Sequence, residues 1–407
     1  VSRAGQTTTD APATLADADT RTADAEGSPG QIASFRSYFR HVPYRRNGTH
    51  HDCQRSLMFP EHWRCYISAM KYHALVLSLF LAKVAAFASA AEPPITAVVF
   101  APNGESVIAA SQSGLKIYRW PDLQRQRSIE CEAANLHCVA FSPDGRHFAA
   151  GGGNPSESGS VEVFSWPMCK RVSTLIDHTD SVQSVVWQSS TNLLSAGNDR
   201  TIKQSVVDPG TSNSRGLTEQ DLPRSDSKEH GHQFDGHSRS VSALCLLNDR
   251  QTLISAGADQ SLRVWNVNTG QLIRSLNQHT GVVHDVALRP ASEGLPMVAS
   301  AAGDRTIRFW QPTIGRMVRY IRLDAEPLSI EWLNSDTLVA GCVDGRLRVI
   351  DANNVTVTGS HLAADGWAYT VAVHPSDGSV VAGGTGGRLR RLDRSVLTQK
   401  SESPTSR

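Results

Sequence analysis

The chain has 407 residues, 40% of them hydrophobic, and carries 40 Lys plus Arg against 39 Asp plus Glu. It is long enough to bury a substantial core. Its charge balance lacks the basic excess that a phosphate backbone demands, so no nucleic-acid partner is implied.

In chain order, residues 1–34 are dominated by Ala, Thr, Asp and Gly. Such a stretch cannot bury enough apolar surface to offset its ordering entropy, and disorder is the expectation. From Met70 the chain reads MKYHALVLSLFLAKVAAFASAAEPP, with Lys71, an apolar run from Ala74 to Ala82, and an Ala88-Ser89-Ala90 step before Ala91. That is the layout of a secretory signal peptide, although Lys83 interrupts it. The uninterrupted run falls well short of the roughly 20 apolar residues of a bilayer span, so no stable membrane span is expected after cleavage. Because a signal peptide works from an N-terminus, the expectation is that either Met70 or Met58 is the start or the segment ahead is an atypical leader. Residues 1–69 then form a disordered or misassigned extension, residues 70–90 the signal peptide, and the domain from residue 91 onward is exported. The expected location is the periplasm, the cell envelope or outside the cell, or the cytoplasm if the segment is not used.

Beyond residue 91 the apolar runs TAVVF at 96, HCVAF at 137, QSVVW at 183, SALCL at 242, HDVAL at 284, LSIEW at 328 and YTVAV at 369 recur at spacings of 41, 46, 59, 42, 44 and 41. Apolar positions inside each unit alternate or run continuously and never follow helical spacing. A period near 40 built from several short strands is the signature of a propeller blade. Pro102-Asn103-Gly104, Pro143-Asp144-Gly145 and Pro375 to Gly378 mark tight returns between the first two strands. SLRVWNV, TIRFWQP and RLRVIDA read as third strands, QLIRSL and RMVRYI as fourth strands. The sequence therefore predicts an all-β, seven-bladed β-propeller of four-stranded antiparallel blades over residues 91–398, preceded by a disordered or leader segment and followed by a disordered tail, 399–407. Closing the ring leaves no long open edge. The 59-residue gap places a Ser-, Gly- and Pro-rich excursion near 208–230, between the third and fourth strands of unit three. The segment after Arg394 is expected to supply the last outer strand.

Units four and five repeat one set of polar residues: His237, Ser255, Asp259 and Trp265, then His279, Ser300, Asp304 and Trp310. In this they resemble the WD-repeat β-propellers, whose blades hold a buried chain of Trp, Ser or Thr, His and Asp; a bacterial, exported member is the expectation. Unit three keeps His178, Ser195 and Asp199 with Ser205 at the Trp position, and unit six keeps Asp344 with Ile350 there. Asn266 and Gln311 stand where the family's name-giving Asp would be. The resemblance implies structural tetrads and a rigid, non-catalytic scaffold that presents its top face and channel mouth to a protein or peptide partner. It implies no cofactor.

A hydrolase triad is a poor reading of Ser, His and Asp here, because the set recurs in separate units without a Gly-x-Ser-x-Gly elbow. His230, His232 and His237 in HGHQFDGH are not read as a metal site, since His237 already belongs to its unit. The five cysteines after Ala91 show no CxxC spacing; Cys138, Cys245 and Cys342 read as buried thiols, while Cys131 with Cys138 is an open disulfide option. The first positions of the repeated runs should converge at the top of the channel. Candidate partner-binding residues there are Trp367, Tyr369, His137, His284 and Gln183, with ring-closure packing as the competing role for the two aromatics. The alternative function is a propeller enzyme of the lyase or lactonase type with a channel active site, against which the first-position residues hold no carboxylate cluster.

Overall fold

The computed structural model describes residues 92–207, 230–290 and 294–397. The extension, the leader at 70–90, the excursion at 208–229 and the tail all lie outside the described residues.

Seven antiparallel sheets form the blades, each running from an inner strand outward. The inner strands are Ile95–Phe100, Cys138–Phe141, Val182–Trp187, Val241–Leu246, Val283–Leu288, Pro327–Trp332 and Ala368–Val373. Each touches the inner strand of the next blade, and that of blade seven returns to blade one. The second strands, such as Thr252–Gly257 and Val298–Ala302, are buried almost throughout because neighbouring blades cover both faces. Seven buried apolar clusters result, one at each blade interface.

The returns between first and second strands depend on glycine. Gly104, Gly145 and Gly378 take φ of 74°, 68° and 71°, the left-handed region that a side chain disfavours.

Six blades have four strands and the seventh has three. The expected outer strand after Arg394 is replaced by a short helix, Arg394–Leu397. Leu397 is buried in the cluster between blades six and seven, so apolar burial there draws the chain off the sheet edge. Strands Ile202–Val206 and His230–Phe234 pair across the excursion, which places it between the third and fourth strands of blade three. Cys131 and Cys138 are separate free thiols rather than a disulfide. No described helix is long and apolar enough to cross a membrane.

Side chains near the start of the inner strands stitch the ring together. Ser184 Oγ accepts from Leu244 N at 3.1 Å, Asp285 Oδ2 from Ile330 N at 2.8 Å, Ser329 Oγ from Val371 N at 3.4 Å and Thr370 Oγ1 from Val98 N at 3.1 Å. Each bond ties one blade to the next, and the last closes blade seven onto blade one. On the opposite face Trp120 stacks on His374 at 5.3 Å, His374 Nε2 donates to the Gly104 carbonyl at 3.2 Å, and Arg391 lies over the Trp120 ring at 4.9 Å.

Candidate functional site

The polar sets of blades four and five sit where second and third strands are cross-paired, with Leu253 opposite Trp265 and Val298 opposite Trp310. In blade five Trp310 Nε1 donates to Ser300 Oγ at 2.8 Å, Ser300 Oγ meets His279 Nε2 at 2.7 Å, and His279 Nδ1 meets Asp304 Oδ2 at 2.9 Å. Blade four repeats this through Trp265, Ser255, His237 and Asp259 at 2.8, 2.7 and 3.0 Å. A carboxylate only accepts, so Nδ1 carries the hydrogen and Nε2 takes the serine proton. Burial lowers the His279 pKa despite the Asp304 carboxylate, which keeps the ring neutral.

These connections imitate a Ser-His-Asp relay, yet they cannot act as one. Ser255 and Ser300 are fully buried, and each hydroxyl oxygen is capped by an indole N–H. No substrate carbonyl can reach them.

The aspartates also hold the following turn. Asp304 Oδ1 accepts from Thr306 N at 2.9 Å and Oδ2 from Thr280 N at 3.0 Å. The next residue, Arg305, is left-handed at φ 61°, as are Arg200 and Gln260 at 70° and 67°. For a residue with a Cβ that conformation carries strain, which the bonds to Asp overcome. Burial pushes the Asp199, Asp259 and Asp304 carboxyls up, but it is outweighed by the bonds from His178 and Thr201, from His237 and Ser261, and from Thr306, Thr280 and His279. All three therefore titrate well below the usual carboxylate range.

Blade three brings His178, Ser195 and Asp199 together at 2.8 Å for each bond. Ser205, at the Trp position, instead donates to Asp177 Oδ2 at 3.1 Å.

Sequence reasoning missed a basic residue four places after the turn aspartate. Arg263 and Arg308 approach Asp259 and Asp304 at 3.8 and 3.6 Å. In blade six, where Leu323 replaces His, Arg348 is buried and bridges Asp344 at 2.7 Å and Asp324 at 2.6 Å. The signal was a recurring Asp-x-x-x-Arg at 259, 304 and 344. Blade two inverts the charge: Glu162, paired with Ala150, takes the arginine place and is fully buried. It accepts from Ala133 N at 2.8 Å and Arg171 Nη1 at 3.1 Å.

The top face, where the inner strands begin, carries the candidate partner-binding residues. Trp367 is 50% exposed and meets Tyr369 edge-on, ring centres 5.8 Å apart. His284 Nε2 lies 2.6 Å from Glu326 Oε1 of the next blade. His137 and Gln183 stand half-buried at the equivalent places in blades two and three, which do not adjoin blade seven; burial lowers the His137 pKa. The structure thus pairs the two aromatics and leaves the other three apart from them.

Below the rim, inner strands of all seven blades enclose a channel of about 520 Å³. Its wall includes Asp285 and Glu331, two carboxylates that the first-position residues did not reveal. Glu331 is exposed toward the channel that the ring of blades encloses, and desolvation by the surrounding protein, reinforced by the Asp285 charge, pushes its pKa up to about 8. Among the described residues no group of three or more His, Cys, Asp or Glu is placed to hold a metal ion. His232 Nε2 lies against the Asn268 carbonyl at 2.7 Å.

Comparison with known proteins matches residues 124–165, 169–204, 228–266 and 270–311 to the WD domain, G-beta repeat. Nuclear distribution protein nudF 1 of Talaromyces marneffei is 30% identical over 177 residues, 43% of this chain and 34% of that protein. B-type cell cycle switch protein ccs52A of Medicago truncatula is 27% identical over 190 residues, 46% of this chain and 35% of its own length. Protein FIZZY-RELATED 2 of Arabidopsis thaliana is 27% identical over 204 residues, 49% and 37% of the two chains. The matched region spans about a third of the length of these curated relatives.

Proposed function

We propose, on the match of residues 124–165, 169–204, 228–266 and 270–311 to the WD domain, G-beta repeat, that the chain is a non-catalytic protein-binding scaffold whose top face receives a protein or peptide partner. The observation that carries the reading is the exposed Trp367 beside Tyr369. Ring closure draws on Thr370 with Val98 and on the Trp120–His374 stack, while Trp367 stays exposed beside a half-buried Tyr369. Large exposed aromatics on a rigid frame lose little entropy on binding and contribute strongly at interfaces. Relatives named for nuclear distribution and cell-cycle switching fit a role played through partners. The signal-like segment at 70–90 adds an exported location to the proposal, tested by sequencing the native N-terminus; a peptide from residues 1–57 in the mature protein refutes it.

The test of the scaffold reading is affinity capture with the full chain and its Trp367→Ala/Tyr369→Ala variant. Loss of the captured partner at an unchanged melting temperature supports the proposal. A large fall in melting temperature assigns the pair to packing instead.

A further inference from the structure

We propose that the outer edge of blade seven is a second docking surface, on which an extended acidic segment of a partner adds as a fourth strand. It is separate from the top-face aromatics and does not depend on them.

In blades four, five and six the third strand has a neighbour on its outer side: Val264 pairs with Arg274, Phe309 with Arg319 and Val349 with Gly359. Those three third-strand residues are 1%, 0% and 3% exposed. Arg391 stands at the same place in blade seven, opposite Val381 as Val264 is opposite Ile254. Its side chain is 34% exposed, and among the described residues no strand pairs with the outer side of Arg390–Leu392. Blades six and one, on either side, both keep their fourth strands, Thr356–Leu362 and Gln124–Ile129. Backbone donors and acceptors on such an edge bond readily to an added strand.

Alternation sets which side chains an added strand meets. Leu389 packs toward blade one and Arg391 lies over Trp120 of that blade, whereas Leu392 is buried toward blade six. Arg388 and Arg390 therefore share the face of Leu392, and both are exposed. Residues 385–397 carry four arginines against one carboxylate, Asp393, which pairs with Arg391 at 2.5 Å. At the turn before Arg388, Asp365 lies against Gly386, while Glu92 lies against Gly387 and pairs with Lys116 at 2.8 Å. Asp377 faces His374 at 3.1 Å. The flanking fourth strands supply no carboxylate: that of blade six holds only His361, whose pKa burial lowers, and that of blade one holds Arg125 and Arg127 ahead of Glu130. The edge is left positive.

Charge selects the occupant. Glutamate or aspartate at alternate positions of an added strand faces Arg388 and Arg390, and cross-strand pairs of opposite sign stabilise a sheet where like charges destabilise it. The chain's own residues 70–91, which lead to Glu92, carry Lys71 and Lys83 and no acidic residue; residues 398–407 hold only Glu402, with Lys400 and Arg407. Neither segment complements the arginines, whereas an acidic partner segment does.

The experiment titrates the full chain with dye-labelled, end-blocked nonapeptides in which threonine alternates with glutamate, glutamine or lysine, and with the glutamate peptide N-methylated along its central residues. The glutamate peptide is expected to bind about tenfold more tightly than the glutamine one, more weakly as salt is raised, and not at all when N-methylated. Arg388→Gln and Arg390→Gln should each weaken it by about threefold, while Arg322→Gln on the outer strand of blade five leaves it unchanged. Matching melting curves show that the variants fold. Site-resolved hydrogen exchange places the peptide: outward-facing amides of residues 388–392 exchange freely in the chain alone and slow by about tenfold or more at saturation. Equal binding of glutamate and glutamine peptides, preference for lysine, binding of the N-methylated peptide, indifference to Arg390→Gln, no binding at millimolar concentration, or protection elsewhere overturns the proposal. Protection of those amides before peptide is added also overturns it, and assigns the edge to the chain's own residues. Partner capture through Trp367 and Tyr369 is read separately, so the scaffold reading stands or falls by its own test.

Discussion

Replacing Ser300 by alanine strands two buried groups at once. The indole N–H of Trp310 loses its acceptor at 2.8 Å, and Nε2 of His279 loses its donor at 2.7 Å. Each orphaned buried group costs about 1–3 kcal/mol, so Ser300→Ala should cost about 2–6 kcal/mol. Ser255→Ala should match it, since blade four has the same connections. Blade three supplies an internal control: Ser195 serves only His178 Nε2, because Ser205 replaces the tryptophan. Ser195→Ala therefore strands one group and should cost about half as much. The volume removed is the same in all three, so cavity terms cancel in the comparison. Urea unfolding followed by far-UV circular dichroism, with equal m-values required, measures the differences. If Ser195→Ala proved as costly as Ser300→Ala, or Ser300→Ala cost under about 1 kcal/mol, the hydrogen-bond chain would not be what holds the blade.

Arg305→Gly should stabilise the fold by about 0.5–1 kcal/mol, because glycine relieves the left-handed strain at φ 61° while adding some unfolded-state entropy; a lower urea midpoint would contradict it. Acid should weaken the blades in two stages: the His279 pKa lies below 6.5 in the fold, so its contribution is full above pH 6.5 and lost as pH falls below it. The depressed carboxyls of Asp199, Asp259 and Asp304 act above pH 3.8 and are lost at lower pH. Unfolding midpoints recorded down the acid range should fall in both windows in the native chain, and Asp304→Asn should shrink the lower one. Glu331 works the other way: its pKa rises from 4.5 to about 8 on folding, so stability is full below pH 4.5 and lost as pH climbs through about 8. Glu331→Gln should abolish that alkaline loss, and an unchanged slope across mildly acidic to mildly alkaline pH would refute the assignment.

Much of the fold was legible because it repeats. The spacing of the apolar runs and the glycine returns at Gly104, Gly145 and Gly378 are local facts, and they fix strand, turn and blade number without knowledge of the neighbours. The seventh blade was misread at its end, since whether Leu397 extends a strand or buries in the adjoining layer depends on the cavity between blades six and seven. Arg348 and Glu162 were overlooked for a related reason. A charged residue in a strand pattern reads as solvent-facing until the partner that makes its burial tolerable, Asp324 for Arg348 or Arg171 for Glu162, is brought to it from outside its own strand.

The sequence by itself determined the module, its seven copies and the polar set inside blades four and five, because those depend on residues within one unit. Only the tertiary structure decided what faces water and what closes the ring: that Trp367 stays half exposed on the top face, and that Trp120 stacks on His374 on the other. Exposure and charge balance are sums over neighbouring blades, and closure of the circle brings together side chains hundreds of residues apart.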